Sequence, residues 1–93
     1  MLEPLGNAEV DKRVRTILQN GTVGFTEHAR KQMAGRILSD RDIVNVLRGG
    51  RCDGCDFEDG TWRYRVRTQQ IVVVIAFRNE TQLTIVTAWR VVK

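Results

Sequence analysis

Two features of the sequence predict an α+β fold, with two or three N-terminal helices packed on one face of a three- to four-stranded antiparallel sheet. Apolar residues recur at helical spacing up to Gly50 and at alternating spacing after it. The alternating half is punctuated by short turn signals, so its strands join as hairpins rather than through crossover helices. No repeat, low-complexity run or linker interrupts residues 1–93, which read as a single domain.

The first helix opens at Asn7, a good capping residue. It carries Val10, Val14, Ile17 and Leu18 on one face, and Asn20-Gly21 supplies a left-handed stop. Thr26 caps a second helix with Ala29, Met33 and Ile37 inward and Gly35 near its end. Ser39 with Asp42 forms a capping box that opens a third, bearing Ile43, Val44 and Leu47 and ending at Gly49-Gly50.

Past Gly50, Trp62, Tyr64 and Val66 alternate strictly with Arg63, Arg65 and Arg67, so this strand has one apolar and one exposed face. Asp59-Gly60 before it marks a tight hairpin, whose partner strand runs near Asp53 to Glu58. Gln70 to Arg78 is β-branched and apolar on both faces, as a central strand is. Asn79-Glu80 turns the chain into a last strand, Gln82 to Val92. There Leu83, Ile85, Thr87, Trp89 and Val91 share one face, opposite Thr84, Val86, Ala88 and Arg90.

A hydrophobic fraction of 42% with 28% charged residues is ordinary globular composition and excludes wholesale disorder. The longest apolar run, Ile71 to Phe77, is far short of a membrane span, and the N-terminus lacks the layout of a signal peptide. The expectation is a soluble cytoplasmic protein without a membrane partner. Stability has to come from burial at a length where burial is marginal, so a homodimer or a tight partner would help.

The formal charge of +4 is unevenly spread along the chain. Residues 1–59 hold nine Lys/Arg against ten Asp/Glu. Residues 60–93 hold six, namely Arg63, Arg65, Arg67, Arg78, Arg90 and Lys93, against Glu80 alone. Such segregation favours a polyanionic partner, nucleic acid first and an acidic protein second. Arg63, Arg65 and Arg67 fall about 6.6 Å apart in a row on one strand face, opposite the face that meets the helices. Guanidiniums fixed on a sheet suit bidentate phosphate contacts, so these three and Arg90 are the expected RNA-binding residues. Thr84 and Thr87 on the last strand have hydroxyls a phosphate could use, but threonine is also simply a good strand former, and that plainer reading is preferred.

His28, the one histidine, falls in the first turn of the second helix. An imidazole can take a proton from a ribose 2′-hydroxyl, the first need of metal-free RNA cleavage. Cys52-Asp53-Gly54-Cys55 has half the ligand spacing of a zinc site without a second Cys or His pair, and is read as reduced turn thiols. No metal site and no cofactor are expected. A phosphate-binding Gly-rich loop, a serine nucleophile elbow and a poised carboxylate pair are missing, which removes support for nucleotide, ester or glycoside hydrolysis.

The run Phe25-Thr26-Glu27-His28-Ala29-Arg30, then Met33, Arg36-Ile37-Leu38-Ser39, Asp42-Ile43-Val44, Leu47 and Gly49, resembles a family of small uncharacterised bacterial proteins. These share a T-x-H-A helix start, an R-x-x-S step, a short helix ending in Gly, and a tyrosine-bearing strand followed by two apolar strands. That family looks related to RelE/ParE-type toxins of toxin–antitoxin systems, and the likeness covers roughly residues 23 to 90. It implies a RelE-like fold and a toxin-like, metal-independent endoribonuclease that holds RNA on the open sheet face. By the same resemblance His28 is the general base, or the acid of the second step. Arg36 and Arg65 stabilise the charge developing on the phosphorane, and Tyr64 and Thr87 complete the catalytic set. Its partners are RNA, free or on the ribosome, and an acidic antitoxin protein. The alternative is a non-catalytic protein binding nucleic acid or an acidic partner, in which the arginines act through charge contacts alone.

Overall fold

The computed structural model describes residues 1–92; Lys93, one of the six C-terminal cations, lies outside the described residues. In chain order the elements are α1 (Asn7–Asn20), β1 (Thr22–Phe25), α2 (Glu27–Gly35), α3 (Asp40–Gly49), β2 (Arg51–Glu58), β3 (Thr61–Arg67), β4 (Ile71–Asn79) and β5 (Gln82–Arg90). The fold is α+β, with three helices and a five-stranded sheet ordered β1-β5-β4-β3-β2. β2 to β5 form the antiparallel meander that the turn signals imply, while β1 joins β5 in parallel. The expectation of an antiparallel sheet of three or four strands is corrected to a mixed sheet of five. At four residues, one of them Gly24, β1 is too short to show a periodicity of its own.

Local chemistry explains most boundaries. In α1, Gly6 is the N-cap, with no side chain to accept a bond, and Val10, Val14 and Ile17 are buried. Gly21 is extended rather than left-handed: its role is spatial, since a Cβ there would run into the Thr81 carbonyl. The same close approach lets the Thr22 N–H donate to Thr81 O at 2.9 Å, which starts β1. The Ser39–Asp42 capping box forms at α3, where Ile43, Val46 and Leu47 are buried. The bond from the Ser39 N–H holds the Asp42 carboxyl below its ordinary value.

The end of α2 departs from the sequence reading. Leu38 N–H donates to Met33 O and Ile37 N–H to Ala34 O, the paired bonds of a Schellman motif. Ile37 occupies its left-handed position (φ 54°) and is 85% exposed, so Leu38 rather than Ile37 packs with Met33 in the core.

The core lies between the helices and one sheet face. Tyr64 and Val66 of β3, Ile71, Val73, Ile75 and Phe77 of β4, and Leu83, Ile85 and Ala88 of β5 are its sheet side. Each fully buried Ile or Leu there contributes about 1.5–3 kcal/mol. Asp59 and Gly60 both have positive φ, as the β2–β3 hairpin turn requires.

A bulge in β5 decides what the other face presents. Val74 pairs with Thr87 but Ile75 pairs with Ile85, so Val86 is an extra residue. Beyond it the alternation flips. Leu83, Ile85 and Ala88 face the core, while Thr84, Thr87 and Trp89 stand on the open face. The single face expected for Leu83, Ile85, Thr87, Trp89 and Val91 is corrected accordingly. The Thr26 hydroxyl, which caps α2 by accepting from Ala29 N–H, donates to the bulged Val86 carbonyl at 3.1 Å. No helix among the described residues is long and apolar enough to cross a membrane.

Candidate functional site

The open sheet face has registered rows. One runs Arg65–Val74–Thr87 and the next Arg67–Val72–Trp89 across β3, β4 and β5. Between Arg67 and Trp89, Val72 is only 3% exposed although no helix covers that face. The bulge therefore brings a half-buried indole and a threonine hydroxyl onto the surface that carries the arginine stripe. A hollow of about 220 Å³ lies here, lined in part by Arg63, Arg65, Val74, Thr87 and Trp89. It shares Arg63 and Val86 with a larger cleft of about 460 Å³ at the hairpin end of the sheet. The two cavities adjoin there, and the lining of the larger also takes in Glu3, Trp62 and Phe77 from the helix side.

The stripe projects as expected, but it is not a bare cationic surface. Arg63 pairs with Glu58 at 2.9 Å and Asp59 at 3.6 Å. Arg65 pairs with Asp56 at 2.5 Å and Asp53 at 3.4 Å, and Arg67 reaches Asp53 at 3.9 Å. The reason is the hairpin: Asp56 lies directly opposite Arg63, so the acids of β2 share a face with the arginines of β3. These pairs are partly solvent-exposed, and such pairs contribute roughly 0–1 kcal/mol each, so phosphates can compete for the guanidiniums. Arg65 also lies over Gly54 of the β2 bulge (φ 142°), where a side chain would collide with its guanidinium.

The catalytic set implied by resemblance is only partly assembled. Tyr64 is fully buried; its hydroxyl donates to a Glu3 carboxylate oxygen at 2.6 Å and accepts from the Leu5 N–H at 3.2 Å. It faces the core, as the alternation of β3 dictates, and a substrate on the open face cannot touch it. Burial, and then the bond to Glu3, pushes the Tyr64 hydroxyl up from its ordinary value. Arg90 is removed from the RNA-binding set for a similar reason. It faces the helix side and donates to the carbonyls of Arg36 at 3.3 Å and Ile37 at 3.0 Å, closing the end of α2. Arg36 is exposed at that same end, and its side chain makes no hydrogen bond or ion pair among the described residues.

α2 is pinned along β5 at both ends, by Thr26 to Ile85 and Val86 and by Arg90 to Arg36 and Ile37. Arg30 stacks on Phe25 at 3.8 Å and reaches Asp40 of α3, so its flank of α2 is on the helix side. Ala29 and Met33 point inward, and His28 lines neither the hollow nor the larger cleft. His28 is exposed and unpaired among the described residues. Two strand spacings, about 10 Å, separate β5, along which α2 lies, from the strand of Arg65, so the structure does not bring His28 and Arg65 together.

Sequence reading missed Arg78 and Trp89 as groove residues. Arg78 donates to Thr84 Oγ1 at 3.1 Å across the β4–β5 hairpin, and Trp89 is turned outward by the bulge. A signal for Arg78 was present, as the one cation closing an apolar strand; none marked the bulge. Cys52 and Cys55 are free thiols, the first buried and bonded to Asn7 Oδ1 at 3.4 Å, and burial pushes the Cys52 thiol up. No group of three or more metal-ligating side chains is found among the described residues.

No curated protein and no solved structure matches the chain. A family model described as "Domain of unknown function (DUF4258)" matches residues 25–90, which span β1's last residue to the end of β5 and take in every groove strand. The chain belongs to this DUF4258 family.

Proposed function

We propose that the protein binds single-stranded RNA along the open sheet face, with phosphates on Arg63 and Arg65 and a base against Trp89. The observation that carries this reading is the β5 bulge, which puts Trp89 and Thr87 in register with Arg67 and Arg65. Aromatic rings beside guanidiniums on an exposed sheet are the common means of holding unpaired nucleotides, whose bases stack and whose phosphates need cations. The acids of β2 temper the charge, so a short strand is favoured over a long duplex. Helices ahead of an antiparallel meander also support kinship with RelE/ParE-type toxins, and with it an acidic antitoxin that competes for the same arginines.

Cleavage of the bound RNA is the second reading, and it rests on the resemblance by which His28 is the general base. In it His28 takes the 2′-hydroxyl proton, and the 2′-oxygen bonds to phosphorus as the bond from phosphorus to the 5′-oxygen breaks. The protonated imidazole returns a proton to the leaving 5′-oxygen, while Arg65, released from Asp53 and Asp56, faces the phosphate. Binding is tested by fluorescence anisotropy with a labelled single-stranded RNA at low salt, and cleavage by incubating the same RNA with chelator present. Binding without cleavage by either wild type or His28→Ala establishes the binding reading alone. Cleavage that His28→Ala abolishes establishes both, and absence of binding by wild type refutes both.

A further inference from the structure

We infer that the larger cleft at the hairpin end of the groove is a seat for a terminal phosphate, a phosphate monoester rather than an internal diester. The cleft exists because two strands part. Pairing between β3 and β4 runs from Arg67↔Val72 to Tyr64↔Ile75 and stops, although both strands continue. Thr61 to Arg63 on one side and Ala76 to Arg78 on the other are left facing across about 460 Å³.

The side chains at this opening suit an anion. Arg63 forms one lip; its terminal nitrogens hold Glu58 and Asp59, but its Nε–H is buried with no partner among the described residues. Arg78 forms the other lip. Its Nε donates to Thr84 Oγ1, and its two terminal nitrogens make no hydrogen bond or ion pair among the described residues. The free terminal nitrogens of Arg78, in one lining with Arg63 and the hydroxyls of Thr61 and Thr84, match a group with several acceptor oxygens and two charges. A monoester offers three terminal oxygens and nearly two charges at neutral pH, whereas an internal diester offers two oxygens and one.

A carboxylate already sits at the rim. Glu3 lines the cleft while bonded to the Tyr64 hydroxyl, and it opposes an incoming phosphate. From Ala76 the open face runs about 13 Å along β4 to Val72, beside Trp89, so a phosphate in the cleft leaves its nucleoside pointing down the groove. The nature of the group carrying the phosphate rests on the strand-binding reading; the phosphate seat itself does not.

The test uses the full chain and three probes: a short single-stranded RNA with a terminal phosphate, the same RNA with hydroxyl ends, and a nucleoside monophosphate. Titration is followed by anisotropy for the strands and by amide chemical shifts for the mononucleotide. The phosphorylated strand is expected to bind at least tenfold tighter than its hydroxyl form. Arg78→Gln should bring the two strands to equal affinity, costing the phosphorylated strand at least tenfold more than the hydroxyl strand, and Glu3→Gln should widen the wild-type difference several-fold. Equal affinity of the two strands overturns the phosphate seat and leaves the groove reading intact. If neither strand binds, the groove reading fails and the mononucleotide decides. Shifts at Thr61 to Arg63 and Ala76 to Arg78 that vanish in Arg78→Gln support the seat, and their absence overturns it.

Discussion

Ile37 holds a backbone conformation that a β-branched residue enters at a cost of about 1–2 kcal/mol, and its side chain recovers little because it is 85% exposed. Glycine is the usual occupant of this Schellman position. Ile37→Gly should therefore raise stability by about 1 kcal/mol, seen as a higher denaturant midpoint at unchanged slope. Tyr64 presents the reverse case, a buried hydroxyl with both partners in place. Tyr64→Phe should cost about 1–2 kcal/mol in the same measurement and leave RNA affinity unchanged. Its linkage to pH has a definite sign. The raised hydroxyl keeps its proton in the folded chain when the unfolded chain begins to lose it near the ordinary value of 10.0. Its contribution is thus complete below pH 10 and falls away as pH rises further, and Tyr64→Phe should flatten the alkaline limb of the stability profile. That Tyr64 faces inward was legible from its alternation with the arginines of β3. The strained Ile37 was not, because helical spacing alone continues past the point where the Schellman bonds end α2.

Among the elements, the capping box at Ser39, the Asp59-Gly60 turn and the central β4 were legible, each being a local signal with a local cause. β1 and the β5 bulge were not. Both depend on a partner distant in sequence: β1 on the backbone of β5, and the bulged Val86 carbonyl on the Thr26 hydroxyl. One residue, Thr26, thus caps α2 and satisfies the bulge that aims Thr87 and Trp89 outward. Thr26→Val, which keeps the shape and loses both bonds, should cost about 1–2 kcal/mol and weaken RNA binding. Thr26→Ser should retain most of both, as denaturation and anisotropy on the same samples would show.

At the scale of the molecule, charge segregated along the sequence is interleaved in space. The C-terminal arginines and the acids of residues 53–59 are separated in the chain, yet the β2–β3 hairpin lays them side by side. A tally of charge against position has no knowledge of strand pairing, which is why the stripe looked bare in the sequence. The acids also set a limit on affinity that mutation can lift. Neutralising both partners of Arg65 with Asp53→Asn and Asp56→Asn should tighten RNA binding several-fold at low salt and steepen its decline as salt rises.

The most direct test of the open-face account is an anisotropy titration of single-stranded RNA against wild type, Arg65→Ala and Trp89→Ala at two salt concentrations. Each variant must first be shown folded by circular dichroism. Salt-sensitive binding by wild type is expected, with about 1–3 kcal/mol lost on removing Trp89, the usual worth of a base stacked on an aromatic ring. Arg65→Ala should lose affinity and part of the salt dependence. Binding of equal strength in all three proteins, or none by wild type at low salt, would contradict it.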